Sequence, residues 1–294
     1  MKILSFGSLN LDKVYSVDHF VRAGETLSSV TMEEFCGGKG LNQSVAASRA
    51  GGTVYHAGCV GAADGGMLLD MLSGSGVDIS LVRRLPCPSG HAIIQVNAEG
   101  QNCILLYGGA NQMVDREQIS ETLAHFEAGD ILVLQNEISG LQDLMEAAGK
   151  KGMVIVLNPS PMTAEILTLP LEYVSYFLLN EVEAKDLCGE ETAEEDRPRK
   201  LLERYPNSKV VMTLGSRGCI YQDSRQQIRC PACRVDVVDT TAAGDTFTGF
   251  FVAAIAAGTD VKTALEQATK AAAISVSRKG AAPGIPTREE MLAF

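Results

Sequence analysis

The sequence has no tryptophan, only 5% aromatic residues and only four histidines in 294 positions. Without aromatic platforms, base stacking along a nucleic-acid strand is a poor fit. His19, His56, His91 and His125 stand far apart, and no two fall at metal-ligand spacing, so a zinc enzyme or histidine-based hydrolase is not expected. No apolar run approaches the roughly 18 residues of a membrane span. The N-terminal apolar run is short and is interrupted at Asn10 and Asp12, which does not read as a signal peptide. Basic residues are also scarce: 25 Lys and Arg against 36 Asp and Glu leave a net charge of −11. That balance repels polyphosphate backbones, so nucleic acid is not an expected partner, and neither is a membrane. Standard nucleotide motifs are missing too. There is no Gly-x4-Gly-Lys-Ser/Thr loop, no Gly-x-Gly-x-x-Gly after the first strand, no protein-kinase His-Arg-Asp or Asp-Phe-Gly, and no Gly-x-Ser-x-Gly elbow.

The eight cysteines (36, 59, 87, 103, 188, 219, 230 and 233) are scattered, which suits a reducing cytoplasm with free thiols. Only Cys230-Pro231-Ala232-Cys233 has metal or redox spacing. No second pair of ligands follows it, so it reads as two thiols near a loop.

What is present is a full core, with 46% hydrophobic and 21% charged residues. Short apolar runs alternate with helical patterns. Strands are expected at 3–8, 54–60, 78–84, 130–135, 153–157, 173–179 and 209–214. Helices are expected at 39–50, 65–73, 115–126, 140–150, 242–257, 261–278 and 287–292. This rhythm predicts βαβ units and a mostly parallel sheet in one α/β domain spanning 1–294, with a helical last third. Two stretches lack helices: 13–36, and a hairpin over 91–108 that turns at Ala98-Glu99-Gly100. Together they could form a small β-sheet beside the main body, a natural lid, or else be surface hairpins without function.

Three segments carry candidate chemistry. In Asp239-Thr240-Thr241-Ala242-Ala243-Gly244-Asp245-Thr246-Phe247, small residues open a long apolar helix with an acid in its first turn. Free N–H groups and the helix dipole at such a start attract an anion. Asp245 there is either an ordinary capping acid or a base that takes a proton from an attacking hydroxyl. Gly37-Gly38-Lys39-Gly40-Leu41-Asn42-Gln43 opens another helix with room for close backbone approach, or is simply glycine-rich loop chemistry. Asn10 and Asp12, two residues apart, would share one strand face and suit sugar hydroxyls, or else mark a turn.

Both glycine-rich helix starts, in this order, resemble the PfkB, or ribokinase-like, carbohydrate kinases. Gly109-Ala110-Asn111, Asn180-Glu181-Val182-Glu183, Thr213–Gly218 and Arg278–Ala281 agree, so the likeness runs along the whole chain. The resemblance implies a three-layer α/β/α sandwich with a β lid, acting as an ATP-dependent sugar kinase. The leading acceptor is the 5-hydroxymethyl group of D-ribose. Deoxyribose, fructose or pseudouridine kinases of the same family are alternatives, as is a catalytically silent binding protein.

By position, the likeness makes Asp245 the base and Ala242, Ala243 and Gly244 an anion hole. It puts Asn10, Asp12, Gly38, Lys39, Gly40, Asn42 and Glu137 around the sugar. It assigns Asn180, Thr213, Leu214, Gly215, Ser216, Arg217, Gly218, Gly244 and Thr269 to ATP. It implies Mg²⁺ near Asn180 and Glu183, held largely through water. A monovalent cation, K⁺, would sit by Asp239, Thr241, Ser275, Arg278, Gly280 and Gly284. Gly284 stands where the family often has serine, which thins that shell. Phe250 and Leu41 replace smaller residues, an expected change in pocket shape. The likeness also implies a homodimer through the lid.

Overall fold

The structure, a computed structural model, describes residues 1–294. Its strands are β1 (Ile3–Phe6), β2 (Asn10–Ser16), β3 (Thr31–Gly37), β4 (Val54–Gly61), β5 (Asp78–Leu85), β6 (Gly90–Val96), β7 (Asn102–Tyr107), β8 (Ile131–Gln135), β9 (Val154–Asn158), β10 (Val174–Asn180), β11 (Lys209–Thr213), β12 (Cys219–Gln222) and β13 (Gln227–Cys230). Its α-helices are α1 (Lys39–Arg49), α2 (Gly66–Gly74), α3 (Arg116–Leu123), α4 (Leu141–Lys151), α5 (Glu181–Cys188), α6 (Arg197–Arg204), α7 (Ala243–Ala256), α8 (Val261–Val276), α9 (Ala281–Gly284) and α10 (Arg288–Ala293).

Nine strands form the main sheet in the order β13-β12-β11-β10-β9-β8-β1-β4-β5. Seven run parallel, as the alternating sequence pattern predicts. Strand residues alternate between two cores. Ile3, Ile131 and Val211 pack with α1, α7 and α8 on one face; Leu4, Leu132 and Met212 pack with α3, α4 and α5 on the other. The result is three layers.

The helical last third needs correction, because β12 and β13 return antiparallel and finish that edge of the sheet. Each is only four residues long, too short for a periodicity to declare itself. Leu41 and Phe250, expected to reshape a pocket, are instead fully buried in the first core. A buried large apolar side chain contributes about 1.5–3 kcal/mol, so their size serves packing.

The second sheet has the order β3-β2-β6-β7. The expected 91–108 hairpin is its β6–β7 half. The sheet reaches further than the 13–36 boundary: β2 begins at Asn10 and β3 ends at Gly37, so Asn10 and Asp12 lie on a strand of this sheet and not in a turn. β2 also pairs with β6 in parallel, a contact across some 80 residues that local pattern does not announce.

In the main sheet the chain leaves β1 in both directions, toward β4 and toward β8. Ligands of open α/β sheets lie beyond the carboxyl ends of the strands at such a reversal. The last residues of β8, β9, β10 and β11 are Gln135, Asn158, Asn180 and Thr213, polar closures on apolar strands.

Candidate active site

The start of α1 packs against the residues that follow β1. Gly40 N–H donates to Ser8 Oγ (3.2 Å) and Leu41 N–H to Ser8 O (3.0 Å). A Cβ on Gly40 would lie 2.4–2.7 Å from Gly7 and Ser8 backbone atoms, so only glycine permits this approach. Gly38, at φ +93°, turns the chain into the helix. Deeper in α1, Ser44 Oγ is 2.7 Å from Nδ1 of the fully buried His56 on β4; burial lowers that imidazole to about 4, so it stays neutral at physiological pH.

The Glu137 carboxylate, just past β8, accepts from Lys39 N–H (2.9 Å) and from the Ser8 hydroxyl. Asp12 faces the same space. Gly37 leaves room for its carboxylate, which a Cβ there would strike at 2.0 Å. Burial, followed by the nearby Glu137 charge, pushes the Asp12 carboxyl up to about 7. Glu137 is raised as well, by burial first, against the hydrogen bonds from Ser8 and Lys39. Asn10 Oδ1 accepts from Asn111 Nδ2 (2.7 Å). Strand pairing places Ala92 beside Asp12, on the same sheet face. Asn10, Asp12, Gly38, Gly40 and Glu137 therefore meet at one place, as the sequence suggests. Ser8 and Asn111 join them without having been singled out individually.

Asp245 sits in the first turn of α7, 5% exposed. Its Oδ2 accepts from Asn42 Nδ2 (3.1 Å) and its Oδ1 from Gln43 Nε2 (2.9 Å). It is not a helix cap: α7 shows no side-chain cap bond. What opens the helix is Ala242, the one non-glycine residue with positive φ (+59°). A left-handed alanine costs free energy, so the surrounding structure enforces it. The Ala243 N–H is partly turned back to Thr240 O (3.3 Å). Gly244 has open space where a Cβ would be.

Two cavities adjoin this helix start. One, of about 240 Å³, holds Lys39, Asn158, Asn180, Glu183, Ala242 and Asp245. The other, of about 690 Å³, is lined by Gly215, Ser216, Gly218, Cys233, Val235, Val237 and Thr269. Thr213, Thr240, Ala243, Gly244 and Phe247 line both. A compact polar chamber thus opens into a larger, mostly apolar one, the shape a nucleoside triphosphate needs.

Lys39 was expected at the sugar through its backbone. Its N–H does bind Glu137, but its side chain lines the smaller cavity. Burial works against its ammonium charge, yet the carboxylates of Asp245, Glu137 and Glu183 outweigh burial and raise its pKa. Two expected nucleotide residues lie elsewhere. The Leu214 side chain is in the second core, because strand alternation turns it inward. Arg217 reaches outward to Glu194 and Glu181, which complement its charge at the surface. Thr269 is buried at the floor, its Oγ1 within 4 Å of the Cys219 and Cys230 sulfurs.

Residues 1–288 match the pfkB family carbohydrate kinases. The chain belongs to this family. It is 36% identical to the ribokinase of Haemophilus influenzae over 98% of this chain and 96% of that protein. The solved ribokinase of Thermotoga maritima superposes with a TM-score of 0.89 at 34% identity, covering 100% of this chain and 98% of that one. The Arabidopsis thaliana ribokinase, solved with ribose and ATP, superposes at 0.87 with 29% identity, covering 99% of this chain and 97% of that one.

Kinases of this family imply a divalent cation, and the donors beside the smaller cavity can be tested for it. Asn180 and Glu183 form a capping box on α5: Asn180 Oδ1 accepts from the N–H groups of Val182 and Glu183, and both Glu183 oxygens accept from Asn180. Each of these oxygens already accepts a hydrogen bond, which suits a water-mediated ion better than direct ligation. For the expected monovalent cation, Asp239 accepts from Thr241 N–H (2.9 Å), the Thr241 hydroxyl (2.6 Å) and Gly280 N–H (2.9 Å). Burial would raise its carboxyl, but these bonds hold it below the usual range, as an anion. A Cβ on Gly284 would lie 3.5 Å from Ser275 O and 3.9 Å from Lys279 O, so two carbonyls converge where glycine leaves space. Arg278 sends its side chain away to Glu290 and can offer this place only its backbone.

Proposed function

We propose that this protein transfers the γ-phosphoryl group of ATP to the 5-hydroxymethyl group of D-ribose, giving ribose 5-phosphate and ADP. The observation that carries this reading is Asp245: a buried carboxylate held by two amide donors at the start of α7, between the sheet-covered polar site and the cavity pair. The sugar lies among Asn10, Asp12, Gly38, Gly40, Asn42 and Glu137. Its 5-hydroxyl gives its proton to Asp245 as the hydroxyl oxygen bonds to the γ-phosphorus and the bond to the bridging oxygen breaks, releasing ADP. Charge on the transferring group is met by the N–H groups of the Ala242–Gly244 helix start and by the Lys39 ammonium. Gly215, Ser216, Gly218 and Thr269 border the nucleoside. A Mg²⁺ ion, held through water by Asn180 and Glu183, would neutralise phosphate charge, and K⁺ beside Asp239 would support the helix start. The eight free thiols fit a reducing cytoplasm.

A panel of sugars tests the acceptor. Ribose is expected to exceed 2-deoxyribose in kcat/KM by at least about 10²-fold, because a site built to bond a hydroxyl rejects the analogue lacking it, and to exceed the bulkier fructose and pseudouridine as well. Any of these overtaking ribose refutes the assignment.

Asp12 adds a pH signature. With its carboxyl raised to about 7, much of the free enzyme is protonated there in neutral solution. A sugar hydroxyl that donates to Asp12 favours the carboxylate, so binding expels the proton. Affinity therefore rises as pH increases toward about 7 and levels off above. KM for ribose should fall by up to about tenfold per unit between about pH 6 and 7. A KM independent of pH over that window would show that Asp12 does not bind the sugar as an anion.

The four-stranded sheet is proposed as a lid that pairs with a second copy. Its edge strand β7 is exposed along its length, with Ile104, Leu105, Leu106 and Tyr107 each more than half exposed. Unpaired edges invite pairing, and a two-fold partner covers them. Light scattering should give twice the chain mass, and Leu105→Glu should return the monomer; a wild-type monomer at micromolar concentration defeats the proposal.

A further inference from the structure

We infer that Gln135 is a positioning residue that fixes the orientation of the Gln43 amide, and through it the Asp245 carboxylate; this rests on Asp245 being the base. Gln135 closes β8 and is 1% exposed. Its Nε2 donates to Gln43 Oε1 (2.7 Å), and Gln43 Nε2 donates to Asp245 Oδ1 (2.9 Å). Gln43 Nε2 also donates to Asn158 Oδ1 (3.4 Å), an oxygen left as acceptor because Asn158 Nδ2 donates to Leu178 O (2.9 Å).

Only one arrangement of these amides satisfies the chain. A carboxylate accepts and cannot donate. Gln43 must therefore turn its NH₂ to Asp245, which turns its carbonyl to Gln135, and Gln135 must answer with its own NH₂. The consequence is visible at the far end. Gln135 Oε1 is buried with no partner, packed against Gly7, where even a Cβ would fall at 2.3 Å. An unmet buried acceptor is costly. Turning the Gln135 amide over would put two carbonyl oxygens face to face, unless Gln43 also turned and set its carbonyl against Asp245. The unmet acceptor thus sits at the end of a relay whose other end is the base. Without Gln135, Gln43 can rotate, and the Asp245 oxygen that should face the sugar hydroxyl loses its fixed direction.

The test is a double-mutant cycle on the full-length enzyme. Gln135→Leu is expected to lower kcat by about tenfold while KM for ribose and for ATP stays within about twofold. Gln43→Leu should lower kcat at least as much, and adding Gln135→Leu to it should change kcat by less than about twofold, because Gln135 acts only through Gln43. Gln135→Met, of similar length, should behave like Gln135→Leu and guards against a packing artefact, with the melting temperature followed in each variant. Multiplying losses in the double variant, or an unchanged kcat in both single Gln135 variants, overturns the relay. Asp245→Asn separates the two readings: a collapse in that variant beside a silent Gln135 leaves the base and removes the relay, whereas near-normal turnover in Asp245→Asn removes the base itself.

Discussion

Asp245→Asn should lower kcat by about 10²–10⁴-fold, the range a general base supplies. The substitution keeps the shape of the side chain and removes its capacity to take a proton. Because Asn42 and Gln43 both donate to the carboxylate, the new amide can accept at one position but must turn an NH₂ toward a donor at the other. That mismatch is local, so sugar and nucleotide binding should be largely kept. Titration calorimetry with ribose, beside steady-state kinetics, separates the two quantities. Loss of ribose binding in parallel with kcat would assign Asp245 to holding the sugar, and near-normal turnover would end the base assignment.

Gly249→Ala should be strongly damaging for a single methyl group. Gly249 lies on α7, one helical turn beyond Asp245, where α7 crosses α1. A Cβ would stand 2.4 Å from the Ala46 Cβ, 2.6 Å from Ala47 N and 2.8 Å from Gln43 O. Two of those three atoms are backbone, so no side-chain rotation relieves the contact. In an exposed helix the change would stabilise by about 1 kcal/mol through helix propensity. Overpacking costs about 1–3 kcal/mol, and a backbone contact belongs at the upper end, so the net effect is a loss of about 2 kcal/mol. The melting temperature should fall by several degrees. Separating α1 from α7 also lengthens the bonds from Asn42 and Gln43 to Asp245, so kcat should fall more than KM rises. A melting temperature equal to or above that of the wild type would mean that the helices part without cost.

The two helix starts were legible in the sequence because their chemistry is local. Small residues before an apolar run mark a turn that can accept an anion, and Asp245 in its first turn reads either as a capping acid or as a base. The parallel sheet was legible because runs such as Ile131–Leu134 are apolar, each closed by a polar residue such as Gln135. What escaped is tertiary. Arg217 is placed at ATP by the family resemblance, yet its partners Glu194 and Glu181 come from other elements. Strands β12 and β13 are too short to show a period. Ser8, Gln135 and Asn158 carry ordinary polar side chains, and their signal was positional: each ends or follows an apolar strand on the same side of the sheet. Counting the polar closures of β8 to β11 would have found that side before any motif was matched.

The contact between α1 and α7 has a consequence for synthesis. The chain leaves the ribosome amino end first, so β1, the Asn10–Gly37 strands and α1 are made long before α7 and α8, their cover in the first core. Leu41 and Val45 of α1, both fully buried in the finished protein, have no lasting shelter until residues beyond 250 have been made. The Asp245 carboxylate, the proposed base, meets its amide partners across 202 and 203 residues of sequence. On the proposed assignment, activity is a late product of translation: a nascent chain stalled before α7 would carry much of the proposed sugar site but lack its base, and is expected not to consume ATP.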